Sequence, residues 1–338
     1  MPKKMLITGA SGFIATHCIL ELLKNGYDVK GTVRNLNRTG KIQETLRKKT
    51  SKADAIEFVR AELTDAVSLE KAVKGCSGVL HIASPAPIMP PKNADEVIIP
   101  AREGALNVLK AAKKFGIPRV VMTSSAAAVG GRGREVSRTY SESDWANIND
   151  PDQSPYSLSK TIAESAAWEF VKKHGVPELA IINPSFVFGP ALEEDYGSSL
   201  EILYRILSGK YLMVPKLGFE IVDVRDVAVL HRLAYESPDA NGRRFLCSSG
   251  YRWMKDICIF LKENFPKYRG KISIREMPNC IFKVIAIFDR SAAMFVPKLE
   301  VKKELDTSPA REVLGWTPRS PEESIKSGAQ SLIDLGII

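Results

Sequence analysis

Short apolar runs alternate with amphipathic segments along the first half of the chain. The runs are bounded by Gly, Pro, Asn or Asp, which commonly end strands, and they predict strands at residues 5–8, 29–33, 56–63, 79–83, 120–123 and 179–188. The segments between them carry apolar residues at helical spacing and predict helices at residues 13–25, 40–49, 68–74, 97–115 and 157–174. Buried strands separated by helices indicate an α/β fold, with a parallel sheet covered on both faces.

The pattern changes after Gly189. Strands become sporadic, with one at residues 244–247, and we expect the helices to lengthen and to form a smaller, helix-richer lobe. The sequence has no internal repeat, no low-complexity segment and no linker rich in Pro or Gly. We therefore expect the lobe to be built onto the sheet rather than tethered beside it.

Composition and hydropathy indicate a globular protein. Of the 338 residues, 44% are hydrophobic and 26% are charged, which is an ordinary balance. The nearest candidate for a membrane span, residues 280–296, is interrupted by Lys283, Asp289 and Arg290. The first residues do not form a secretory signal, so we expect a cytoplasmic location. The five cysteines include no C-x-x-C pair, and we expect neither a disulfide framework nor a metal site.

The chain is basic, with a formal net charge of +9. Residues 1–50 hold ten basic and three acidic side chains, and the aromatic residues of that segment are Phe13 and Tyr27. A surface that binds nucleic acid is expected to interleave basic and aromatic residues. We therefore expect a small-molecule substrate, no nucleic-acid or membrane partner, and a monomer or homodimer.

A glycine-rich turn follows the first predicted strand. Residues 5–15 read MLITGASGFIA, in which Gly9, Gly12 and Ala15 follow one another at intervals of three. Glycine lets the backbone turn sharply and approach a pyrophosphate, and the following helix offers its N-terminal N–H groups. The same pattern occurs at ordinary strand–helix turns, but its place at the start of the alternating pattern predicts a dinucleotide-binding site.

The end of the second predicted strand indicates which dinucleotide binds. NAD sites usually place Asp or Glu there, whereas a 2′-phosphate favours a cation. This strand is followed by Arg34, then by Arg38 and Lys41, and no carboxylate occurs before Glu44. The planar guanidinium of Arg34 suits phosphate oxygens, although a solvated arginine after a strand is the other interpretation. The sequence therefore favours NADP(H).

A tyrosine and a lysine lie four residues apart at the start of a predicted helix. Tyr156 and Lys160 share one helix face, because residues i and i+4 do. Ser125 follows the buried strand at residues 120–123, and ligands of open α/β sheets bind beyond the carboxyl ends of strands. We expect these three side chains to form the catalytic site.

With these motifs the sequence resembles the extended short-chain dehydrogenase/reductases over nearly its whole length. The matching segments are TGASGFIA (8–15), TSSA (123–126), YSLSK (156–160), NPSFVFGP (183–190), VDVRDVA (222–228) and LGWTP (314–318). It is most similar to the branch that holds dihydroflavonol reductases, cinnamoyl-CoA reductases and NADPH-dependent aldehyde or ketone reductases of the methylglyoxal type. The resemblance implies a Rossmann-type, doubly wound sheet. Residues 1–189 would mainly bind NADP and residues 190–338 would mainly form the substrate lobe, with some segments returning to the sheet.

The resemblance also implies roles for single residues. Ser125 and Tyr156 would hydrogen-bond the carbonyl oxygen, Tyr156 would donate the proton, and Lys160 would bind the nicotinamide ribose and lower the tyrosine pKa. Arg34 and Lys41 would contact the 2′-phosphate. The implied cofactor-binding residues are Gly9, Ser11, Gly12, Phe13, Ile14, Arg34, Lys41, Glu62, Leu63, Ala83, Ser84, Tyr156, Lys160, Pro184, Val187 and Ser199. Among them, residues 62–63 would lie beside adenine and residues 83–84 would pass the cofactor riboses. Pro184 and Val187 would contact the nicotinamide carboxamide, and Ser199 would contact a phosphate.

The leading functional hypothesis is an NADPH-dependent reductase that converts an aldehyde or ketone to an alcohol by hydride transfer. A sugar-nucleotide epimerase or dehydratase of the same fold is one alternative. Such enzymes often use NAD, which Arg34 disfavours. A non-catalytic NADP-binding sensor is the other alternative, and it is disfavoured because Tyr156 and Lys160 are both present.

Two departures from the resembling branch bear on the substrate. Dihydroflavonol reductases carry a substrate-binding asparagine five residues after the catalytic serine, where this chain has Gly130. Cinnamoyl-CoA reductases carry a cysteine near the tyrosine, and residues 154–160 hold none. An apolar pocket discriminates weakly, so we predict a permissive reductase of small to medium apolar aldehydes and ketones. Candidate walls of that pocket are Ile88, Val129, Phe186 and Tyr196, and core packing is an equally good interpretation of Val129 and Phe186.

The choice of cofactor can be tested at Arg34. Arg34→Ala should weaken NADPH binding by about 10- to 150-fold, because a charged hydrogen bond contributes roughly 1.5–3 kcal/mol. Binding of NADH should stay nearly unchanged, because NADH lacks the 2′-phosphate. Fluorescence titration with both cofactors measures the difference. Equal losses for the two cofactors would instead give Arg34 a structural role.

Overall fold

The structure is a computed structural model that describes residues 3–85, 91, 93–130, 137–150, 153–293 and 295–338. Its strands are β1 (Lys4–Ile7), β2 (Asp28–Val33), β3 (Glu57–Arg60), β4 (Gly78–His81), β5 (Arg119–Thr123), β6 (Arg138–Tyr140), β7 (Glu178–Pro184), β8 (Phe186–Phe188), β9 (Gly218–Asp223), β10 (Arg243–Cys247), β11 (Gly250–Trp253) and β12 (Lys303–Leu305). Its α-helices are α1 (Phe13–Lys24), α2 (Thr39–Arg47), α3 (Ala66–Val73), α4 (Asp95–Lys114), α5 (Pro155–His174), α6 (Gly197–Leu207), α7 (Val224–Glu236), α8 (Met254–Asn264), α9 (Asn279–Phe288), α10 (Arg290–Ala293), α11 (Ser308–Leu314) and α12 (Pro321–Asp334). Within the described ranges, no helix has the length and apolarity needed to cross a membrane.

Seven strands form one parallel sheet in the order β10-β7-β5-β4-β1-β2-β3. The chain runs from β1 outward to β3 and then returns to β4 on the other side of β1. This reversal opens a crevice beyond the carboxyl ends of β1 and β4, which is where such sheets bind ligands. The predicted Rossmann-type, doubly wound sheet is confirmed.

Helices cover both faces of this sheet. Successive residues of a strand point to opposite faces. Ile7 and Val121 therefore belong to the core beneath α1 and α7, and Leu6 and Val120 belong to the core beneath α3, α4 and α5. All four side chains are at most 1% exposed. The continuous apolar runs in the sequence follow from this burial on both faces.

The later part of the chain contributes most of two smaller sheets and the helices that pack beside them. A three-stranded sheet, β11-β9-β8, packs with α6, α8 and α12 around its own apolar core. A two-stranded parallel sheet joins β12 to β6. Two later segments reach the central sheet and its helices. Strand β10 pairs with β7, and the buried Trp316 donates from its indole Nε1 to the carbonyl of Asp226 on α7, at 2.9 Å.

Some of the predicted elements are wrong. The helices do not lengthen after Gly189, because α4 and α5, with 20 residues each, both precede it and α12 has 14. The strand predicted at 179–188 is two strands, because the chain leaves the central sheet after Pro184 and β8 then pairs with β9. The strand predicted at 56–63 covers only Glu57–Arg60. Strands β6, β9, β11 and β12 are not predicted, because they are short or mix polar with apolar residues.

Candidate active site

Residues predicted to bind the cofactor or to carry the chemistry lie at or just after the carboxyl ends of the central strands. Parallel strands end at the same edge of a sheet, so side chains far apart in sequence meet there. For β1, β2, β3, β4, β5 and β7, in that order, these residues are Gly9, Arg34, Glu62, Ala83, Ser125 and Pro184.

The glycine-rich turn is held by the strands on either side of β1. Gly9, at a φ of +70°, donates from its N–H to Thr32 Oγ1 (3.0 Å), and Ala10 N donates to the Thr32 carbonyl (2.8 Å). A Cβ added to Gly9 would lie 3.0 Å from Ala83 Cβ, so both the conformation and the space require glycine here. Helix α1 begins at Phe13 with no side-chain cap, which leaves its first N–H groups available to an anion. Half-buried residues of the turn are Ser11, Gly12, Phe13 and Ile14.

The predicted cations lie at the end of β2. Arg34 is exposed and makes no hydrogen bond or ion pair with any residue that the structure describes. An acidic segment before α6 faces the other two predicted cations, Arg38 and Lys41. Lys41 Nζ lies 3.0 Å from Glu194 Oε2, and Arg38 Nη2 lies 3.7 Å from Asp195 Oδ2. All four paired side chains are largely exposed, so each pair by itself contributes little to stability.

The segment that carries these acids passes close to the start of α1. A Cβ placed on Gly197 would lie 3.5 Å from Phe13 Cβ. Ser199 is half-buried in the first turn of α6. Pro184 is buried at the end of β7, and Val187 is buried in β8. The predicted carboxamide and phosphate contacts thus lie on the chain that leaves the central sheet towards α6.

The predicted adenine site lies after β3. Glu62 is exposed and its Oε1 lies 3.2 Å from Arg60 Nη2. Leu63 is fixed more firmly, because its carbonyl accepts from Asn107 Nδ2 (3.0 Å) and its side chain packs against Gly104 of α4. The backbone is therefore held at the edge of this site, whereas the Glu62 carboxylate projects from it into solvent.

The backbone at the predicted ribose contacts, after β4, is held by Thr8, the residue that follows β1. Thr8 Oγ1 accepts from the N–H groups of Ile82 and Ala83, each at 3.0 Å, and lies 2.9 Å from His81 Nδ1. Ser84 follows and is half-buried. This hydroxyl joins the ends of β1 and β4 across the crevice where the strand order reverses.

Ser125, Tyr156 and Lys160 are brought together as predicted. The Ser125 side chain accepts from Ala127 N (3.1 Å) and hydrogen-bonds the Tyr156 side chain. Helix α5 begins at Pro155, in the first-turn position that proline favours, so Tyr156 lies in its first turn. Lys160 Nζ is 5.8 Å from the centroid of the Tyr156 ring.

Burial dominates the electrostatics of these groups. It raises the pKa of Tyr156, while the hydrogen bond with Ser125 lowers it. It lowers the pKa of Lys160 to about 8, and the Glu164 carboxylate acts in the opposite direction. Lys160 is 5% exposed and forms no hydrogen bond or ion pair with the residues described. An ammonium in such a place is ready to bind a polar ligand.

Several residues that support the site were not singled out from the sequence. Thr8 and Thr32 hold the glycine-rich turn. Thr8 had a signal, since it opens the segment 8–15, whereas Thr32 had none, because threonine is common in strands. Asn183 and Glu164 hold the strand end that carries Ser125. Both had a signal, since Asn183 opens the segment 183–190 and Glu164 lies four residues after Lys160 on the same helix face.

The predicted pocket walls have different surroundings. Val129 is 1% exposed in a buried cluster, which supports its interpretation as a core residue. Phe186 is half-buried, with its ring centroid 4.5 Å from that of Phe219. Tyr196 is also half-buried. Ile88 lies outside the described residues.

Comparison with known proteins identifies the family of this chain. The model of the NAD dependent epimerase/dehydratase family matches residues 5–247, and the chain belongs to that family. Cinnamoyl-CoA reductase 1 of Arabidopsis thaliana is 36% identical over 269 residues, which are 79% of this chain and 76% of that protein. The predicted resemblance to the extended short-chain dehydrogenase/reductases, in the branch that holds these reductases, is confirmed.

Solved structures with a similar fold match nearly the whole chain. Yeast methylglyoxal/isovaleraldehyde reductase Gre2 complexed with NADPH has a TM-score of 0.82 and 28% identity, and covers 99% of this chain and 100% of that one. Gre2 of Candida albicans in complex with NADPH has a TM-score of 0.81 and 29% identity, and covers 99% of each. The similarity therefore includes the lobe that follows the central sheet.

The contact between Lys41 and Glu194 generates a prediction about cofactor affinity. If Lys41 contacts the 2′-phosphate, Glu194 competes for the same ammonium. Glu194→Gln should then tighten NADPH binding by up to about fivefold, because an exposed ion pair contributes roughly 0.2–1 kcal/mol. The affinity for NADH should not change, and fluorescence titration measures both.

A matched control is Glu44→Gln. Glu44 lies one turn beyond Lys41 on α2, is exposed, and makes no hydrogen bond or ion pair with the residues described. The same loss of charge there should leave the affinity for NADPH close to that of the wild type. Equal effects of the two substitutions would show a general charge effect and no competition at Lys41.

Proposed function

We propose that this protein reduces a small to medium apolar aldehyde or ketone to an alcohol, with hydride from NADPH and a proton from Tyr156. The observation that carries the proposal is the hydrogen-bonded pair of Ser125 and Tyr156 beside the buried ammonium of Lys160. Two hydroxyl groups held in advance at one point can bind a carbonyl oxygen as negative charge develops on it.

The protein is an oxidoreductase that uses NADP(H), as do the Gre2 structures that match it end to end. Its own residues fit this cofactor. The start of α1 is uncapped, and Gly9 adopts the positive φ that the tight turn before this helix requires. Arg34 and Lys160 offer positive charge and make no hydrogen bond or ion pair with the described residues. Ser185, next to Pro184, has a buried hydroxyl that has no hydrogen-bond partner among the described residues.

The residues of the site divide the work of the reaction. Bound NADPH supplies the hydride that the carbonyl carbon accepts. Ser125 and Tyr156 bind the carbonyl oxygen, and the Tyr156 hydroxyl transfers its proton to that oxygen, which completes the alcohol. Burial keeps the phenol protonated, which is the state a proton donor requires. The phenolate that remains is then stabilised by the Lys160 ammonium. Lys160 is protonated at a pH below its pKa of about 8.

The proton transfer is tested by Tyr156→Phe. This change keeps the ring but removes the donor, so kcat should fall by at least about 10²-fold, while the affinity for NADPH stays within about twofold. Stopped-flow absorbance of NADPH and equilibrium titration measure the two quantities.

A control for loss of a hydroxyl is Tyr235→Phe. Tyr235 is 9% exposed, and its hydroxyl donates to the carbonyl of Ser77 (3.2 Å), away from the strand ends that carry the site. This variant should keep the wild-type kcat. Retention of more than a tenth of wild-type turnover by Tyr156→Phe would remove Tyr156 from the proposal.

The surroundings of Gly130 leave no space for the asparagine that dihydroflavonol reductases carry at this position. A Cβ on Gly130 would lie 2.5 Å from Lys303 Nζ and 3.3 Å from Tyr140 Cε1. Lys303 Nζ itself donates to the carbonyls of Gly130 (3.2 Å) and Ala126 (3.3 Å). The lysine thus occupies the space of the side chain that would contact a hydroxylated ligand in the dihydroflavonol reductases.

The substrate class is tested by kcat/KM across a panel of carbonyl compounds. The panel contains short aliphatic aldehydes, aryl ketones, dihydroquercetin and a cinnamoyl-CoA. We expect the simple aldehydes and ketones to react within about tenfold of one another, because an apolar pocket discriminates weakly. If dihydroquercetin or cinnamoyl-CoA exceeds every simple carbonyl by more than about tenfold, the proposed substrate class is wrong.

A further inference from the structure

A buried ion pair lies directly behind the candidate catalytic residues. Glu164 on α5 is fully buried, and its Oε1 accepts from Arg244 Nε on β10 at 2.5 Å. Arg244 is itself only 7% exposed. Charges are buried at high cost, and apolar residues of similar size often serve stability equally well. The position of Glu164, four residues after Lys160 on the same helix face, links the pair to the site.

The second carboxylate oxygen of Glu164 joins the ends of the two strands next to the site. Oε2 accepts from Ser124 Oγ at 2.5 Å and from Asn183 Nδ2 at 2.9 Å. The same Asn183 amide donates to the carbonyl of Ser125 at 3.2 Å. One carboxylate therefore ties α5, which carries Tyr156, to the carboxyl ends of β5 and β7.

Arg244 extends this connection to the segment that precedes α5. Its Nη1 donates to the carbonyls of Glu142 and Asp144, each at 2.8 Å. Its guanidinium carbon is 3.8 Å from the centroid of the Trp145 ring. The guanidinium thus holds Glu164 on one side and the approach to α5 on the other.

We propose that Glu164, held by Arg244, is a positioning residue that fixes α5 against β5 and β7, so that Ser125, Tyr156 and Lys160 keep one arrangement. It touches neither substrate nor cofactor. This inference rests on the proposed function, because that function gives Tyr156 and Lys160 their roles.

Glu164 also contributes charge next to Lys160. The groups that face this ammonium, within the part of the chain that the structure describes, are Tyr156 and Glu164 on α5 and His81 on β4. Burial lowers the pKa of His81 to about 3 and raises that of Tyr156, so both are neutral near pH 7. The Glu164 carboxylate is therefore the anion that opposes the effect of burial on the Lys160 pKa.

The first test is Glu164→Gln. Loss of the carboxylate should lower the pKa of Lys160, and Lys160 would then lose its proton at a lower pH. The alkaline limb of kcat/KM, expected near pH 8 in the wild type, should move down by about half a pH unit or more. The value of kcat should fall at least about tenfold, because small displacements of catalytic groups are costly.

A matched control is Glu169→Gln, which removes the same charge from the same helix. Glu169 is exposed and lies outside the buried network. Its substitution should change neither kcat nor the alkaline limb. A melting temperature is measured for every variant, so that loss of fold is separated from loss of arrangement.

A second variant keeps the inference testable if Glu164→Gln does not fold. Glu164→Met combined with Arg244→Met replaces the ion pair by apolar side chains of similar length, a change that often preserves stability. We expect a melting temperature near that of the wild type, at least about tenfold lower kcat, and an alkaline limb at lower pH. A paired variant that does not fold would give the network a purely structural role and overturn the inference.

Two results separate this inference from the proposed function. If a folded Glu164 variant keeps kcat within about threefold and the wild-type pH profile, while Tyr156→Phe abolishes turnover, only the positioning role is wrong. If Tyr156→Phe keeps turnover, the proposed reaction itself is wrong. A fall in kcat with a shifted alkaline limb in the folded variants, and neither change in Glu169→Gln, supports the positioning role.

Discussion

Burial of the central sheet on both faces is the constraint on which the rest of this structure depends. A parallel sheet covered by α1 and α7 on one side and by α3, α4 and α5 on the other has no open face for a ligand along its strands. Ligand-binding side chains are therefore confined to the strand ends. Residues as far apart as Gly9 and Pro184 lie along one edge for this reason, and the reversal of strand order between β1 and β4 opens the crevice there.

The same burial sets the charges of the site. A lysine that is 5% exposed loses hydration, and its pKa falls to about 8. Several polar side chains of the neighbouring network are hydrogen-bonded to one another. Thr8 contacts His81, and Glu164 accepts from Ser124, Asn183 and Arg244. Such a network has few alternative arrangements, because leaving any member unpaired is costly. Tyr156 and Lys160 thus lie on α5, whose buried face is held in place by the hydrogen bonds of Glu164.

The cofactor side of the crevice differs from this interior. Arg34, Arg38 and Lys41 are exposed, and two of them contact the acidic segment before α6. Exposed pairs exchange partners at little cost, so Arg38 and Lys41 can exchange these carboxylates for a phosphate. The residues proposed to carry the proton chemistry are therefore buried in one network, whereas the residues proposed to recognise the cofactor are exposed and exchange partners easily.

The sequence by itself determined the alternation of strands and helices, the glycine-rich turn and the pairing of Tyr156 with Lys160. These features depend on local spacing, such as three residues in a turn or four along a helix face, and their physical causes act within one segment. Tertiary structure alone decided that Arg244 meets Glu164, that β8 pairs with β9, and that Lys41 meets Glu194. The residues of each of these contacts lie far apart in the chain, and the short strands β8 and β9 carry weak local patterns. Their partners are chosen by which segments the packed sheet brings to the same place.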